Sequence, residues 1–240
     1  MPYKPKKKKI LSRALVCLLI ILMVGMIVLL FDRMFPGLLT LVRNRDIQGV
    51  EDYLDAEGGW KGMLCLFLLS LIQVASIVLP GMPIQVAGGV LYGWLESSLI
   101  CYAGFVFGNA LVFLLRRRLR RRFRKHFPKN HELSEEEAME YWLTEQMRKQ
   151  NPAVAVGLAM LVPGIPNGII PHAAARADIT GRGFVAAVMV TSWLQIVTNC
   201  LCGHLLIRGE LFWIAVVYVL HFLLIGLIAW KRQEILGRFR

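Results

Sequence analysis

Two short stretches carry the residue types most able to act on a ligand. Leu79-Pro80-Gly81-Met82-Pro83 and Val162-Pro163-Gly164-Ile165-Pro166 repeat one pattern at an offset of 83 residues. Each interrupts an apolar run, and each is followed by polar or small residues: Gln85, Gly88 and Gly89 after the first, Asn167, His172, Arg176 and Asp178 after the second. Proline removes an amide donor and clashes with the preceding helical turn, while glycine lets the chain reverse. In hydrocarbon the freed backbone groups must be buried in protein or line a wet cavity. Together, Pro80, Gly81, Pro83, Gln85, Gly88, Gly89, Pro163, Gly164, Pro166, Asn167, His172, Arg176 and Asp178 make a candidate substrate site whose chemistry is binding and passage. The competing reading is two kinked spans.

The polar residues divide by position. His172 and Arg176 are four apart and share a face if that arm is helical, so they fit an anion site for a lipid phosphate with Asp178 orienting Arg176, or else an interfacial charged cluster. Asn167 follows the second break and fits a role in satisfying loose backbone groups. Asn109, Gln195 and Asn199 are mid-span amides, suited to interhelical hydrogen bonds or to lining a head-group path. His204 and His221 read as packed histidines. Arg116, Arg117, Arg118, Arg120 and Arg121, within a run that continues to Lys125, suit anionic lipid head groups or a topogenic stop. No catalytic residue, metal site or cofactor is expected: there is no paired-carboxylate, nucleophile-elbow or His-Glu-x-x-His pattern in the spans and no phosphate-binding Gly-x-x-x-x-Gly-Lys-Ser/Thr loop. The five cysteines all lie in apolar stretches, with no Cys-x-x-Cys pair, and read as packing residues.

The elements that position these groups follow from composition. Of 240 residues 56% are hydrophobic, yet Lys+Arg number 28 against 16 Asp+Glu. Apolar blocks flanked by basic clusters read as spans and cytoplasmic loops, and nucleic acid is not an expected partner. The segmentation is a basic N-terminus (1–13), a transmembrane anchor (14–31), an outer loop (32–61) with a short interfacial helix at Ile47–Asp55, a re-entrant hairpin (62–94), a span (96–115), a cytoplasmic loop (116–151), a second hairpin (153–176), a span (184–207), a last span (211–230) and a basic tail (231–240). Within the loop, Ser134 and Glu137 suggest a capping box opening an exposed amphipathic helix through Lys149. Only if both broken runs are hairpins do all three basic segments face the cytoplasm. The expected fold is an all-α integral membrane protein with about four transmembrane helices and two opposed re-entrant hairpins forming an inverted repeat. It would be multi-pass with cytoplasmic termini, in the plasma membrane if bacterial. Paired interrupted segments in oppositely oriented halves point to a transporter-type site.

At these residues the chain resembles the DedA / VTT-domain superfamily, the SNARE-associated Golgi protein group. The resemblance runs from about Gly62 to Gly203 and rests on Pro80-Gly81-Met82-Pro83, on Ala87-Gly88-Gly89-Val90-Leu91-Tyr92-Gly93, on the Gly104–Gly108 span ending at Arg116, and on Pro163 and Pro166. It implies opposed hairpins and movement of lipids or lipid-linked phosphates between leaflets. Met82 stands where DedA proteins carry an acidic residue, and Met160 where an arginine is usual. Ala175 replaces a glycine, and the region Ser192–Gln195 lacks a proline. These departures suggest the Golgi vesicle branch and argue against proton coupling. The expected function is lipid translocation by a non-enzyme, with membrane lipids, especially anionic head groups, as partners and oligomerisation left open. The alternatives are a small-solute or ion permease and a non-transport assembly or envelope-homeostasis protein.

Overall fold

The computed structural model describes residues 37–44, 46, 48–49, 52–53, 59–76, 80–122, 135–149, 151–161 and 165–230. The anchor at 14–31, the C-terminal tail, Ser134, Cys17, Pro163 and Gly164 lie outside the described residues, as does most of Ile47–Asp55. The described residues are helical, with no strand among them.

Two units divide the chain after Tyr53. In the first, helix α1 (Leu38–Arg43) follows Gly37, whose φ of 86° is open to glycine. Asp46 Oδ1 then accepts from the Gly49 amide at 2.9 Å. The second unit holds α2 (Trp60–Ala75), α3 (Gly81–Arg122), α4 (Glu135–Lys149), α5 (Pro152–Leu161), α6 (Ile169–Ala174), α7 (Gly181–Ile207) and α8 (Leu211–Trp230).

Among the described residues three helices are long and apolar enough to cross a bilayer, over Gly81–Leu119, Gly181–Ile207 and Leu211–Ile228. At 1.5 Å per residue α2 reaches only about 24 Å and α5 about 15 Å, short of the roughly 30 Å hydrocarbon core. Helix α3 is broken at Gly93, where φ 73° and ψ 170° fall in a region essentially closed to side-chain-bearing residues. Each half of the repeat therefore has one order: short apolar helix, proline break, short helix, turn, long helix. The 83-residue offset carries Gly93 onto Arg176, inside the turn 175–178 that precedes α7. The first half reverses on one glycine, the second on a multi-residue turn.

Local sequence explains the helix starts. Asn151 Oδ1 accepts from the amide of Ala153 at 3.1 Å ahead of Pro152, and the Thr180 hydroxyl accepts from Gly183 at 3.0 Å. Both satisfy amides that a helix start otherwise leaves open. Gly209, at φ 75°, turns α7 into α8.

The halves interlock through α3 and α7. A Cβ on Gly89 would strike the carbonyl of Cys200, and one on Gly203 would strike that of Val86. Residues 86–89 and 200–203 thus meet backbone to backbone, as small residues allow between membrane helices. After the kink, α3 packs on α2 in the same manner: a Cβ on Gly104 would lie 2.5 Å from Phe67 O, and one on Gly108 2.9 Å from Leu71 O.

Beyond the expected span end at Leu115, helix α3 continues to Arg122, because arginine is a good helix former and nothing in 116–122 breaks the pattern. One expectation needs correction. Helix α4 is not simply exposed, since Leu143 and Met147 are buried and its apolar stripe packs on α6.

Candidate functional site

The two proline breaks meet. Pro80, Gly81, Met82 and Gln85 from the first and Ile165, Pro166, Asn167 and Gly168 from the second line one cavity of about 280 Å3, joined by Gln73 and Val74 of α2 and by Gln195 of α7. Its polar lining is four carboxamides. Behind it, Asn199 Nδ2 donates to Gln85 Oε1 at 2.7 Å, and the Tyr218 hydroxyl donates to Asn199 Oδ1 at 3.2 Å. Gln85 and Asn199 are 2% and 4% exposed, so this chain ties α3, α7 and α8 together where water cannot compete. Of the mid-span amides, Gln195 lines the cavity and Asn199 makes the interhelical bond. Asn109 does neither: its Nδ2 donates at 2.9 Å to Phe105 O on its own helix. His221 pairs with Thr198 at 3.0 Å.

Not every expected site residue reaches this cavity. Gly88 and Gly89 are packing positions, set against Leu66, Ser97 and the Cys200 carbonyl. Pro83 is exposed in the first turn of α3, where a missing amide hydrogen costs little. His172, Arg176 and Asp178 are absent from the lining; His172 and Arg176 belong to a second cluster.

That second cluster was split in the sequence reading. Arg116 Nε donates to His172 Nδ1 at 2.5 Å, and Arg176 Nε forms an ion pair with Glu140 Oε1 at 2.9 Å. Arg176 lies in the turn after α6, beyond the helical face proposed for it, and Glu140 of α4 is its carboxylate partner; Asp178 is exposed. Arg117 donates at 2.6 Å to Ile179 O just ahead of the α7 cap. Its guanidinium lies 5.6 Å from the Phe113 ring centre, and Phe113 stacks on Phe184 at 4.4 Å. Arg118 is exposed, and the side chains of Arg120 and Arg121 lie outside the described residues.

Burial, then the positive charges of Arg116 and Arg176, push the His172 imidazole down to about 4, as its role as acceptor from Arg116 requires. The unfolded chain binds a proton near 6.5 and the folded chain only near 4, so the unfolded state holds more protons between those values. Stability from this group is therefore present above pH 6.5 and is lost as pH falls towards 4. Melting temperature in detergent is expected to drop from pH 7 to pH 5, and His172→Gln is expected to flatten that slope. An unchanged slope in the variant would remove His172 as its cause.

Sequence reasoning missed Gln73, Glu140 and Tyr218. Gln73 was accessible, being the one carboxamide in the apolar run 62–79. Glu140 was hidden among six glutamates between Glu132 and Glu145.

Residues 79–205, more than half of the chain, match the VTT domain. No curated protein and no solved structure matches beside it.

Proposed function

Because the chain belongs to the VTT-domain family of membrane proteins, consistent with a role in membrane transport or homeostasis, we propose that it moves lipid head groups between leaflets through the cavity at its two proline breaks. One observation carries this reading: segments separated by 83 residues in the sequence contribute to one polar cavity. In this reading residues 60–92 and 152–174 are hairpins entering from opposite faces. The short reach of α2 and α5 supports that, as α5 would end near mid-bilayer and α2 short of the far face. The crossings are then 14–31, 94–122, 181–207 and 211–230, with both termini and the arginine-rich end of α3 in the cytoplasm, at the plasma membrane if the source is bacterial. The helix from residue 94 to Arg122 is about 43 Å long, so its last turns extend past the hydrocarbon. Arg116, Arg118 and Arg176 would there attract anionic head groups. Met82 in place of an acidic residue favours the Golgi vesicle branch. Translocation along such a groove needs no covalent step, with tails staying in lipid while the head group exchanges water for carboxamides.

The test is reconstitution with acyl-labelled fluorescent lipids and dithionite quenching of the outer leaflet. The protected pool is expected to shrink in proportion to protein density. Asn167→Trp, which fills the cavity, should restore protection while the protein stays monodisperse with an unchanged melting temperature. If the inner-leaflet pool survives at every protein density for every head group tried, lipid translocation is the wrong function.

A further inference from the structure

Gln73 is 4% exposed, and neither its Nε2 nor its Oε1 has a hydrogen-bond partner among the described residues. Its side chain lines the cavity and lies so close to Gly81 that a Cβ there would collide with Oε1. Glycine at 81 therefore leaves the space that the amide occupies. A buried carboxamide with both ends open is matched by a group that accepts from Nε2 and donates to Oε1. A hydroxyl does both. A phosphate oxygen serves only the NH2, an ammonium only the carbonyl, and a quaternary ammonium neither.

The surroundings favour the same chemistry. Gln85, Asn167 and Gln195 add three more carboxamides, and no ionisable side chain is in the lining. The break residues outside the described set, Ile77-Val78-Leu79 and Val162-Pro163-Gly164, contain none either. A formal charge in such a place lacks a counter-charge, whereas a neutral polyol exchanges its water hydrogen bonds one for one. The volume of about 280 Å3 is just below the roughly 300 Å3 at which small-molecule pockets begin. That suits one head group with its tails outside.

We propose that this cavity selects uncharged, hydroxyl-bearing groups of the sugar or polyol class, with Gln73 as the specificity residue. The proposal rests on reading the cavity as the head-group path. The same chemistry is carried by a glycolipid head group and by a free sugar, and the experiment separates them.

The full chain is reconstituted with acyl-labelled glucosyl-diacylglycerol, phosphatidylcholine or phosphatidic acid, and a further set of vesicles traps radiolabelled glucose. The glucosyl lipid is expected to lose protection at least about ten-fold faster than phosphatidylcholine. Gln73→Leu should bring that ratio close to one while the melting temperature holds or rises, since it removes an unmatched buried amide. Equal rates for all three lipids would overturn the selectivity and leave lipid translocation standing, with Gln73 serving water alone. Faster phosphatidic acid would overturn it in favour of an anion held by the open amides at the start of α3. Glucose efflux without lipid movement would keep the hydroxyl recognition and overturn the lipid path. Immobility of every probe would overturn both. A Gln73→Leu protein that melts lower would show the amide to be a structural tie and overturn its assigned role.

Discussion

Gly89→Ala and Gly203→Ala are each expected to lower the stability of the protein in detergent by about 2 kcal/mol, although alanine is the better helix former by roughly 0.5–1 kcal/mol. The reason is the reciprocal contact between residues 86–89 and 200–203, where an added methyl meets a backbone carbonyl that cannot rotate away. Overpacking of that kind costs about 1–3 kcal/mol. Once one methyl has parted α3 from α7, the second meets less resistance, so the double variant should lose less than the sum of the two. Gly226→Ala is the control, because nothing lies within 4 Å of its Cβ position and only the propensity gain remains. Thermal melting of the four proteins tests this directly. Equal melting temperatures for Gly89→Ala and Gly226→Ala would mean that the two helices do not touch at residue 89.

Glu140→Ala is expected to cost about 2–3 kcal/mol, somewhat below the roughly 3–5 kcal/mol of a fully buried pair. Glu140 and Arg176 are 13% and 24% exposed, so water screens the ion pair only in part. Removing the carboxylate leaves Arg176 close to His172, which already accepts from Arg116, and to the Arg148 side chain, which reaches the Arg176 carbonyl at 3.4 Å. With the carboxylate gone the Arg176–Glu140 tie is lost, and α4 should loosen from α6. Limited proteolysis within 135–149 and a melting curve would both report it. Glu140→Leu combined with Arg176→Met should recover most of the loss, since both ions of the pair are replaced together by apolar groups. Failure of that rescue would assign the effect to something other than the ion pair.

These two expectations mark the limit of what is readable without coordinates. The apolar segments behind α7 and α8, expected at 184–207 and 211–230, were legible, because hydrophobic length is a local property, whereas the Thr180 cap that starts α7 earlier was not read. The paired proline breaks were legible too, since proline and glycine act on their own backbone. Gly88 and Gly89 were visible as unusual, but a glycine that admits a ligand and one that admits a neighbouring helix have the same sequence signature. The role of Gly89 depended on the Cys200 carbonyl, more than 100 positions away, and that of Gly88 on Leu66 of α2 and on Ser97.

Partner choice was decided by tertiary structure throughout. Periodicity assigns Gln195 and Asn199 to one face of α7, but whether that face meets water, lipid or Gln85 depends on which helix lies opposite. Arg116 was read with its basic neighbours, and His172 and Arg176 with Asp178. Packing instead brought Arg116 to His172 and Glu140 to Arg176, because the ends of α3 and α4 converge on α6. Sequence by itself thus determined a membrane chain with two interrupted apolar segments in a repeat, for hydrophobic length and backbone chemistry are local properties. The meeting of both breaks at one carboxamide-lined cavity, with Gln73 against Gly81, is a property of helix faces in contact, and only the folded arrangement of α2, α3, α7 and the second break decided it.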